Sequence, residues 1–443
     1  MKTTFNIFHE RKSELNSLLI LTFILLNTSY IFYLESYSVL YFFLIFILAS
    51  CIPSGRTANI LLLNIGFFAV IFFYEYWQSF FGSSFYGGGF SDDYNFDTFW
   101  TKGYHEKYGL NPIFIFKHLY LLEGGSAIMH NSIGYVYLNV ILRYVGDAFG
   151  GYHTLIPRFL NIYFLLLTAH YTSKVSKILW NNKRITHLTK FSLFLFPIML
   201  FNSVHIFRDT LVSLIIVYCV YGYLKNKKNI IFILFSFILF LILFYLRKAN
   251  CILLIITCLI LIFNEKDLKN KLPFFTVLFG FIFVIVIILY GDTIFSQINK
   301  YSEMNSERFK GLGGKFFSLP IYFGFIPRIT FLIFVPAIGI HTFHQAFLSI
   351  STIAQIVFFP FLIFALFNPK IDLRLKLIFL LYFLGVALST ATFRHVMMYL
   401  PFSIILVIYQ INVSKVFLNK KYVYVLFSLI ITFVLSAIIA IIY

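Results

Sequence analysis

Apolar segments long enough to cross a lipid bilayer recur along the whole chain, and they constrain its fold more than any other feature. Hydrophobic residues make up 60% of the sequence and charged residues only 12%. Soluble domains, by contrast, are about 45–50% apolar and about 25% charged. The sequence therefore predicts an all-α polytopic membrane protein. It excludes a cytosolic enzyme, a disordered chain and a secreted disulfide scaffold.

The hydropathy pattern predicts about 13 transmembrane helices, within a range of about 11–14, because each crossing needs about 20 mainly apolar residues. Lys and Arg concentrate in the short loops between some of these segments, and such loops face the cytoplasm. This arrangement accounts for the formal charge of +18 without nucleic acid, which we do not expect as a partner. The predicted spans cover residues 15–34, 37–53, 58–76, 154–172, 189–204, 210–224, 229–246, 249–264, 273–290, 345–367, 376–392, 396–413 and 422–442.

Two long segments are expected on the outer face, and each contains apolar pieces that are poor candidates for spans. The first holds "NPIFIFKHLYLL" and "IGYVYLNVILRYVG", which are short and interrupted by Lys117 or Arg143 and so predict helices in the membrane interface. The second holds residues 316–340, where prolines and Arg328 favour a re-entrant or interfacial element, with a pair of kinked spans as the alternative. The predicted organisation is 1–76 N-terminal spans, 77–153 first outer loop, 154–290 central bundle, 291–344 second outer loop and 345–443 C-terminal spans.

Charged residues outside the basic inner loops fall on the predicted outer face. The motif "GGGFSDDYNFD" places Asp92, Asp93 and Asp97 in the first outer loop. Ionisable groups near the membrane are costly and need a partner or a function. The alternative is that Arg–Asp turns merely anchor helix ends. The other members of this set are Arg158, Arg208, Asp209, Arg247, Lys248, Arg394 and His395.

Carboxylates and guanidinium groups on this face suit glycosyl transfer from a lipid-linked phosphate. Arg binds phosphate oxygens with two parallel hydrogen bonds, and a carboxylate can accept a proton from a sugar hydroxyl. We favour Asp93 over Asp92 as that base, because it adjoins Tyr94. Asp209 lies beside Arg208, and a paired carboxylate is a weaker base, so we expect it to orient the Arg or the acceptor sugar.

Aromatic residues near the acids are candidates for stacking on sugar rings, although an interfacial aromatic belt explains them equally well. These residues are Tyr94, Phe96, Trp100 and Tyr104.

The sequence shows no metal-binding pattern. His341 and His344 can share a helical face, but no third ligand follows. The four cysteines lie within or beside apolar segments without a CxxC spacing. We therefore predict no protein metal site, and leave a divalent cation open as a cofactor.

The order of these motifs resembles the membrane-embedded C-type glycosyltransferases and the Wzy-type polymerases of O-antigen and capsular polysaccharide. The resemblance lies in "VGDAFGGYHTLIPRFLNIYF", "LFPIMLFNSVHIFRDTLVSL" and "FYLRKAN", and it covers about residues 85–250 well. It implies an essential acid in the first outer loop and an Arg-containing span after a small-residue turn, here Arg158 after Gly150–Gly151. Two departures are the two spans before the acidic loop, where many C-type transferases have one, and the lack of a soluble outer domain after the last span.

This resemblance implies polymerisation of undecaprenyl-diphosphate-linked oligosaccharide repeats on the periplasmic face of a bacterial inner membrane. It also implies membrane lipid, a flippase and a chain-length regulator as partners. One alternative is a transferase that adds a single sugar from a polyprenyl-phosphate donor. Another is a transporter of lipid-linked oligosaccharide, although transporters usually carry charges at mid-membrane and show inverted repeats.

Overall fold

The computed structural model of the chain describes residues 2–81, 93, 95–112, 132–225, 230–262, 315–316, 319, 321–334, 342–389, 394–413 and 420–442, and these are helical with short connections and no β-strand. A π-helix (Asn95–Phe99) and a 3₁₀-helix (His395–Met398) accompany the α-helices. The α-helices are α1 (Lys2–Tyr33), α2 (Tyr37–Ser50), α3 (Arg56–Phe81), α4 (Trp100–Tyr108), α5 (Ile133–Ala148), α6 (Leu155–Trp180), α7 (Lys183–Leu195), α8 (Pro197–Val204), α9 (Asp209–Lys225), α10 (Ile230–Leu246), α11 (Lys248–Ile262), α12 (Ile321–Phe334), α13 (Phe343–Phe367), α14 (Leu373–Ser389), α15 (Leu400–Val413) and α16 (Lys420–Ile442).

Four of the described helices are long and apolar enough to cross a membrane. The bent pair α7–α8, with a 48° change of direction, makes a fifth if it acts as one span. Several other predicted spans coincide with shorter apolar helices, such as the 14-residue α2. At 1.5 Å per residue, α2 is about 21 Å long, less than the hydrocarbon thickness of about 30 Å. The predicted span 273–290 lies outside the described residues.

The basic loop predicted after residue 172 is mostly helical, and this corrects the sequence interpretation. Helix α6 continues to Trp180, so only two residues separate it from α7. Asn181 turns the chain with a φ of +45°, and the Asn182 side chain accepts hydrogen bonds from the backbone amides of Arg184 and Ile185. An Asn that caps a helix start in this way stabilises an abrupt turn. Basic residues are therefore compatible here with continued helix, because Lys and Arg favour helix in their own right.

Two compact units are assembled from separate stretches of the chain. The first contains Met1–Tyr171, Met199–Ile215 and Ile233–Cys251. The second contains Thr172–Ile198, Ile216–Phe232 and Ile252–Tyr443.

Aromatic side chains form much of the core of the first unit. Phe43 of α2, Phe67 of α3 and Phe159 of α6 are buried, with ring centroids 4.3 Å apart for Phe67 and Phe159 and 5.5 Å apart for Phe43 and Phe67. Between α1 and α3, the Asn27 amide donates to the Asn64 carbonyl oxygen at 3.0 Å. This packing fixes the start of α6, which carries two of the residues described below.

Helix α5 coincides with the apolar piece "IGYVYLNVILRYVG", and its place in the membrane interface stays a prediction. One side of it is buried, with Tyr135, Val136 and Val140 among the buried residues. This spacing places the buried residues on one face of the helix. The other apolar piece of that predicted loop, "NPIFIFKHLYLL", lies largely outside the described residues.

In the second unit, Phe331 of α12 and Phe433 of α16 both pack against Phe316, which precedes α12 in the chain. A mainly apolar cavity of about 250 Å³ lies among α7, α13 and α15, and Phe196, Phe359 and Ser403 are part of its lining. None of the described candidate site residues lines it.

Candidate functional site

Asp93 is fully buried and accepts hydrogen bonds on both carboxylate oxygens. Arg158 Nη1 lies 3.0 Å from Oδ2, and His205 Nδ1 lies 2.9 Å from the same oxygen. The backbone amide of Ile206 donates to Oδ1. Because an ionised carboxylate only accepts hydrogen bonds, the His205 ring carries its proton on Nδ1. Asp93 is therefore the acceptor for three donors from two other segments of the chain.

The surroundings of Asp93 keep it ionised. Burial by itself raises the pKa of the Asp93 carboxyl, but Arg158, His205 and the Ile206 amide lower it by more, so the pKa lies below its usual value. Burial lowers the pKa of His205, and Arg158 lowers it further against the opposing effect of Asp93, so the ring is neutral at pH 7. The cluster thus contains one carboxylate and one guanidinium, both fully buried.

Val204, the last residue of α8, and the next three residues, His205–Phe207, lead towards α9, and α6 holds their backbone in place. Arg158 Nη1 donates to the Val204 carbonyl oxygen at 2.9 Å. Asn161 Nδ2 donates to the carbonyl oxygens of His205 at 2.6 Å and Phe207 at 3.2 Å. Arg158 and Asn161 are three residues apart and so lie on the same face of α6. Together they bind three carbonyl oxygens within the four residues Val204–Phe207.

Tyr135 of α5 completes this network. Its hydroxyl donates to Asn161 Oδ1 at 3.2 Å. Burial raises the pKa of the Tyr135 hydroxyl, and the nearby carboxylates of Asp93 and Asp209 raise it further. The hydroxyl therefore stays protonated, and its donation fixes which way the Asn161 amide points.

A second ion pair lies at the start of α9. Arg247 Nη1 contacts Asp209 Oδ1, so a cation from the end of α10 binds this acid, where the sequence suggested its neighbour Arg208. The Asp209 side chain is 3% exposed and that of Arg247 is 16% exposed. Asp209 begins α9, where a negative charge is stabilised by the free amide groups of the helix start. Arg208, the residue before it, is partly buried.

Asp97 belongs to a third cluster. The Tyr152 hydroxyl donates to Asp97 Oδ1, and Arg143 Nη2 donates to the Asp97 carbonyl oxygen at 3.2 Å. The Arg143 guanidinium also lies 4.2 Å from the centroid of the Tyr152 ring. This arrangement ties the π-helix Asn95–Phe99 to α5 and to the turn before α6.

The structure changes the reading of the acid and aromatic candidates. The argument that pairing makes Asp209 a weaker base applies to Asp93 as well, because Asp93 is paired with Arg158. Its role as general base stays a prediction, and the lowered pKa weighs against it. Phe96, Trp100 and Tyr104 are buried. The ring centroid of Phe96 lies 5.0 Å from that of Trp100 and 5.1 Å from that of Tyr135. These rings therefore belong to the core and do not form an open surface on which sugar rings can stack.

The remaining candidates lie elsewhere or outside the described part. Arg394 and His395 begin the 3₁₀-helix and belong to the second unit, with His395 buried. Lys248 is the first residue of α11. Asp92 and Tyr94 lie outside the described residues, and His341 does as well. Among the residues that are described, no group of three His, Cys, Asp or Glu side chains is arranged to hold a metal ion.

Sequence reasoning missed His205, Asn161, Tyr135 and Tyr152. The spacing of Arg158 and Asn161 on one helical face was a usable signal for Asn161. His205 stands three residues before Arg208 in a motif already identified as a turn.

Comparisons with protein-family models, with curated proteins and with solved structures found no match to this chain. What the protein does is therefore inferred from its own residues.

Proposed function

We propose that this chain is an integral membrane glycosyltransferase that polymerises polyprenyl-diphosphate-linked oligosaccharide repeats. The observation that carries the proposal is the Arg247–Asp209 pair with Arg208 beside it. Its acid is buried, whereas Arg247 and Arg208 are only partly buried. A group arriving at this end of α9 and α10 therefore meets positive charge first, which suits a diphosphate.

The proposed chemistry uses these cations to stabilise the leaving group. The acceptor hydroxyl oxygen attacks the anomeric carbon of the donor sugar, and the bond from that carbon to the phosphate oxygen breaks. The polyprenyl diphosphate departs with the electron pair, and its charge is held by Arg208 and Arg247 through charge-assisted hydrogen bonds. The hydroxyl proton passes to a carboxylate of the predicted first outer loop, for which the sequence offers Asp92 as well as Asp93. Asp209 holds Arg247 in position.

We also propose the finer topology that this function requires. About 13 helices cross the membrane, and residues 77–153 and 291–344 lie on the outer face of a bacterial inner membrane. The support is the concentration of Lys and Arg in the predicted inner segments and the location of Arg208, Asp209 and Arg247 at helix ends. Charges at helix ends suit a headgroup-level site better than a mid-membrane transport path.

The test uses the full-length protein in lipid nanodiscs with an oligosaccharide linked to undecaprenyl diphosphate. Arg208→Lys and Arg247→Lys each keep the charge but lose the two-pronged geometry, so we expect shorter glycan ladders or none. Arg184→Lys is the matched control, because Arg184 is exposed on α7. Normal ladders from both test variants would refute the phosphate-binding role.

The products separate the enzyme classes. A ladder of repeats supports the polymerase. Addition of one sugar only, from a polyprenyl-phosphate donor, would replace it with the single-sugar transferase. Movement of intact lipid-linked glycan across proteoliposomes without any new glycosidic bond would replace both with a transporter.

A further inference from the structure

The four residues Val204–Phe207 are held almost entirely by side chains from outside their own segment. Three of their carbonyl oxygens accept hydrogen bonds from Arg158 and Asn161 of α6. The Ile206 amide donates to Asp93, and the His205 ring binds the same acid. Short connections between helices seldom have so many buried backbone groups, and each of them needs a partner.

This segment leads directly into Arg208 and Asp209. The carbonyl oxygen of Arg208 accepts the Val212 amide at 3.0 Å, so α9 begins at this point. The direction in which α9 starts, and with it the Arg208 and Asp209 side chains, follows from the path of Val204–Phe207. Asp209 in turn contacts Arg247, so the position of the whole ion pair depends on that path.

From this geometry we propose that Asp93 and Asn161 are positioning residues that fix Val204–Phe207 and thereby set the placement of Arg208 and Asp209. Asp93 acts through the Ile206 amide, the His205 ring and Arg158. Asn161 acts through two carbonyl oxygens, with its amide orientation set by the Tyr135 hydroxyl. Asp93 and Asn161 thus hold Arg208 and Asp209 in place without contacting the proposed anion themselves.

Full burial of Asp93 supports this role over a direct one. Both of its oxygens are occupied by donors, and its side chain is 0% exposed. A general base must come within hydrogen-bond reach of the proton that it takes, and its pKa should lie near the working pH. Asp93 meets neither condition, whereas a buried ionised acid with three fixed donors is well suited to hold a backbone segment.

The first test needs no ligand and does not depend on the proposed function. Hydrogen–deuterium exchange is measured on the peptide that covers residues 204–212 in the full-length protein. Asn161→Leu keeps the side-chain volume but removes both donated hydrogen bonds. We expect exchange in this peptide to quicken about tenfold, which corresponds to the loss of about one net hydrogen bond. Asn161→Asp, which keeps the oxygen that accepts from Tyr135, serves if the Leu variant does not fold.

Asn139→Leu is the matched control. Asn139 is a buried Asn of the same unit, on α5, and its amide atoms have no hydrogen-bond partner among the described residues. Its replacement should leave exchange at 204–212 unchanged. Wild-type exchange in both folded Asn161 variants would overturn the positioning role of Asn161.

The second test separates positioning from catalysis for Asp93, and it rests on the proposed function. Inorganic pyrophosphate is the binding probe, and glycan synthesis at saturating donor gives the turnover. For Asp93→Asn we expect weaker pyrophosphate binding, with turnover at saturation reduced by less than about tenfold. Loss of a base would instead leave binding unchanged and lower turnover by about 10²–10⁴-fold, and that result would overturn our assignment.

Failure of the proposed function has a different signature. If Arg208→Lys and Arg247→Lys both bind pyrophosphate as the wild type does, the anion site is wrong. The exchange result for Asn161 would stand even then, because it reports on the backbone alone.

Discussion

The Asp93–Arg158 pair makes a quantitative prediction, because both side chains are fully buried and 3.0 Å apart. We expect Asp93→Leu to strand the Arg158 guanidinium in a dry environment, which costs about 3–5 kcal/mol of unfolding free energy. The same change leaves the Ile206 amide without its acceptor, which adds about 1–3 kcal/mol.

The reverse change, Arg158→Met, is expected to cost less. The Asp93 carboxylate loses its counter-charge but keeps the His205 ring and the Ile206 amide as donors. Removal of one partner of a buried pair again costs about 3–5 kcal/mol, and we place this variant at the lower end of that range.

The double variant distinguishes pairing from general damage. With both charges gone, no unpaired ion remains, so the loss should be smaller than the sum of the single losses by about 2–3 kcal/mol. It should not reach zero, because the Val204 carbonyl oxygen and the Ile206 amide still lack partners. Unfolding free energies measured in mixed micelles with a denaturing detergent provide the three values. Single losses that add to within about 0.5 kcal/mol would refute the pair as a coupled unit.

Two further predictions concern His205 and a pair of glycines. The pKa of His205 is lowered in the folded state, so the unfolded chain takes up a proton first as the pH falls. The free energy of unfolding should therefore be full well above about pH 6.5 and decrease as the pH drops through that value, and the decrease should be less steep in His205→Gln. Thermal unfolding of both proteins on either side of that pH checks it, and equal slopes would contradict it. Gly151→Ala should lower the free energy of unfolding by about 1–3 kcal/mol, because φ at Gly151 is +111° and strains any residue with a Cβ. Steric overlap is not the cause, since no atom lies within 4 Å of the new Cβ. Gly103→Ala, equally unobstructed but inside α4, should instead stabilise by about 0.5–1 kcal/mol in the same thermal assay, and a loss at Gly103 as large as at Gly151 would refute the backbone explanation.

Helix positions were largely predictable because apolar runs in this chain end at polar residues. The predicted segment 210–224 corresponds to Asp209–Lys225, and 229–246 corresponds to Ile230–Leu246. The exception is the end of α6, where a basic stretch was assigned to a loop. Charge indicates which side of a membrane a segment favours, but it does not prevent helix formation.

The residue types of the site, acids and arginines, were predictable from the sequence. Which acid pairs with which arginine was much less so. The structure pairs Asp93 with Arg158 and Asp209 with Arg247, in each case from distant segments of the chain. Which acid meets which cation depends on tertiary packing, because the partners are 65 and 38 residues apart in the chain. The burial of Asp93 was not predictable from the sequence either. Its full burial is the observation that favours a positioning role over the role of a base.

Assembly of the buried cluster has an order imposed by synthesis. Asp93 precedes Ile206 by 113 residues, and at about 5–20 residues per second a ribosome needs about 6–23 s to make that stretch. During this interval Asp93 and then Arg158 have been made, but the segment that completes their hydrogen bonds has not. A nascent chain stalled before residue 204 would therefore carry the acid and the guanidinium without the His205 ring and the Ile206 amide.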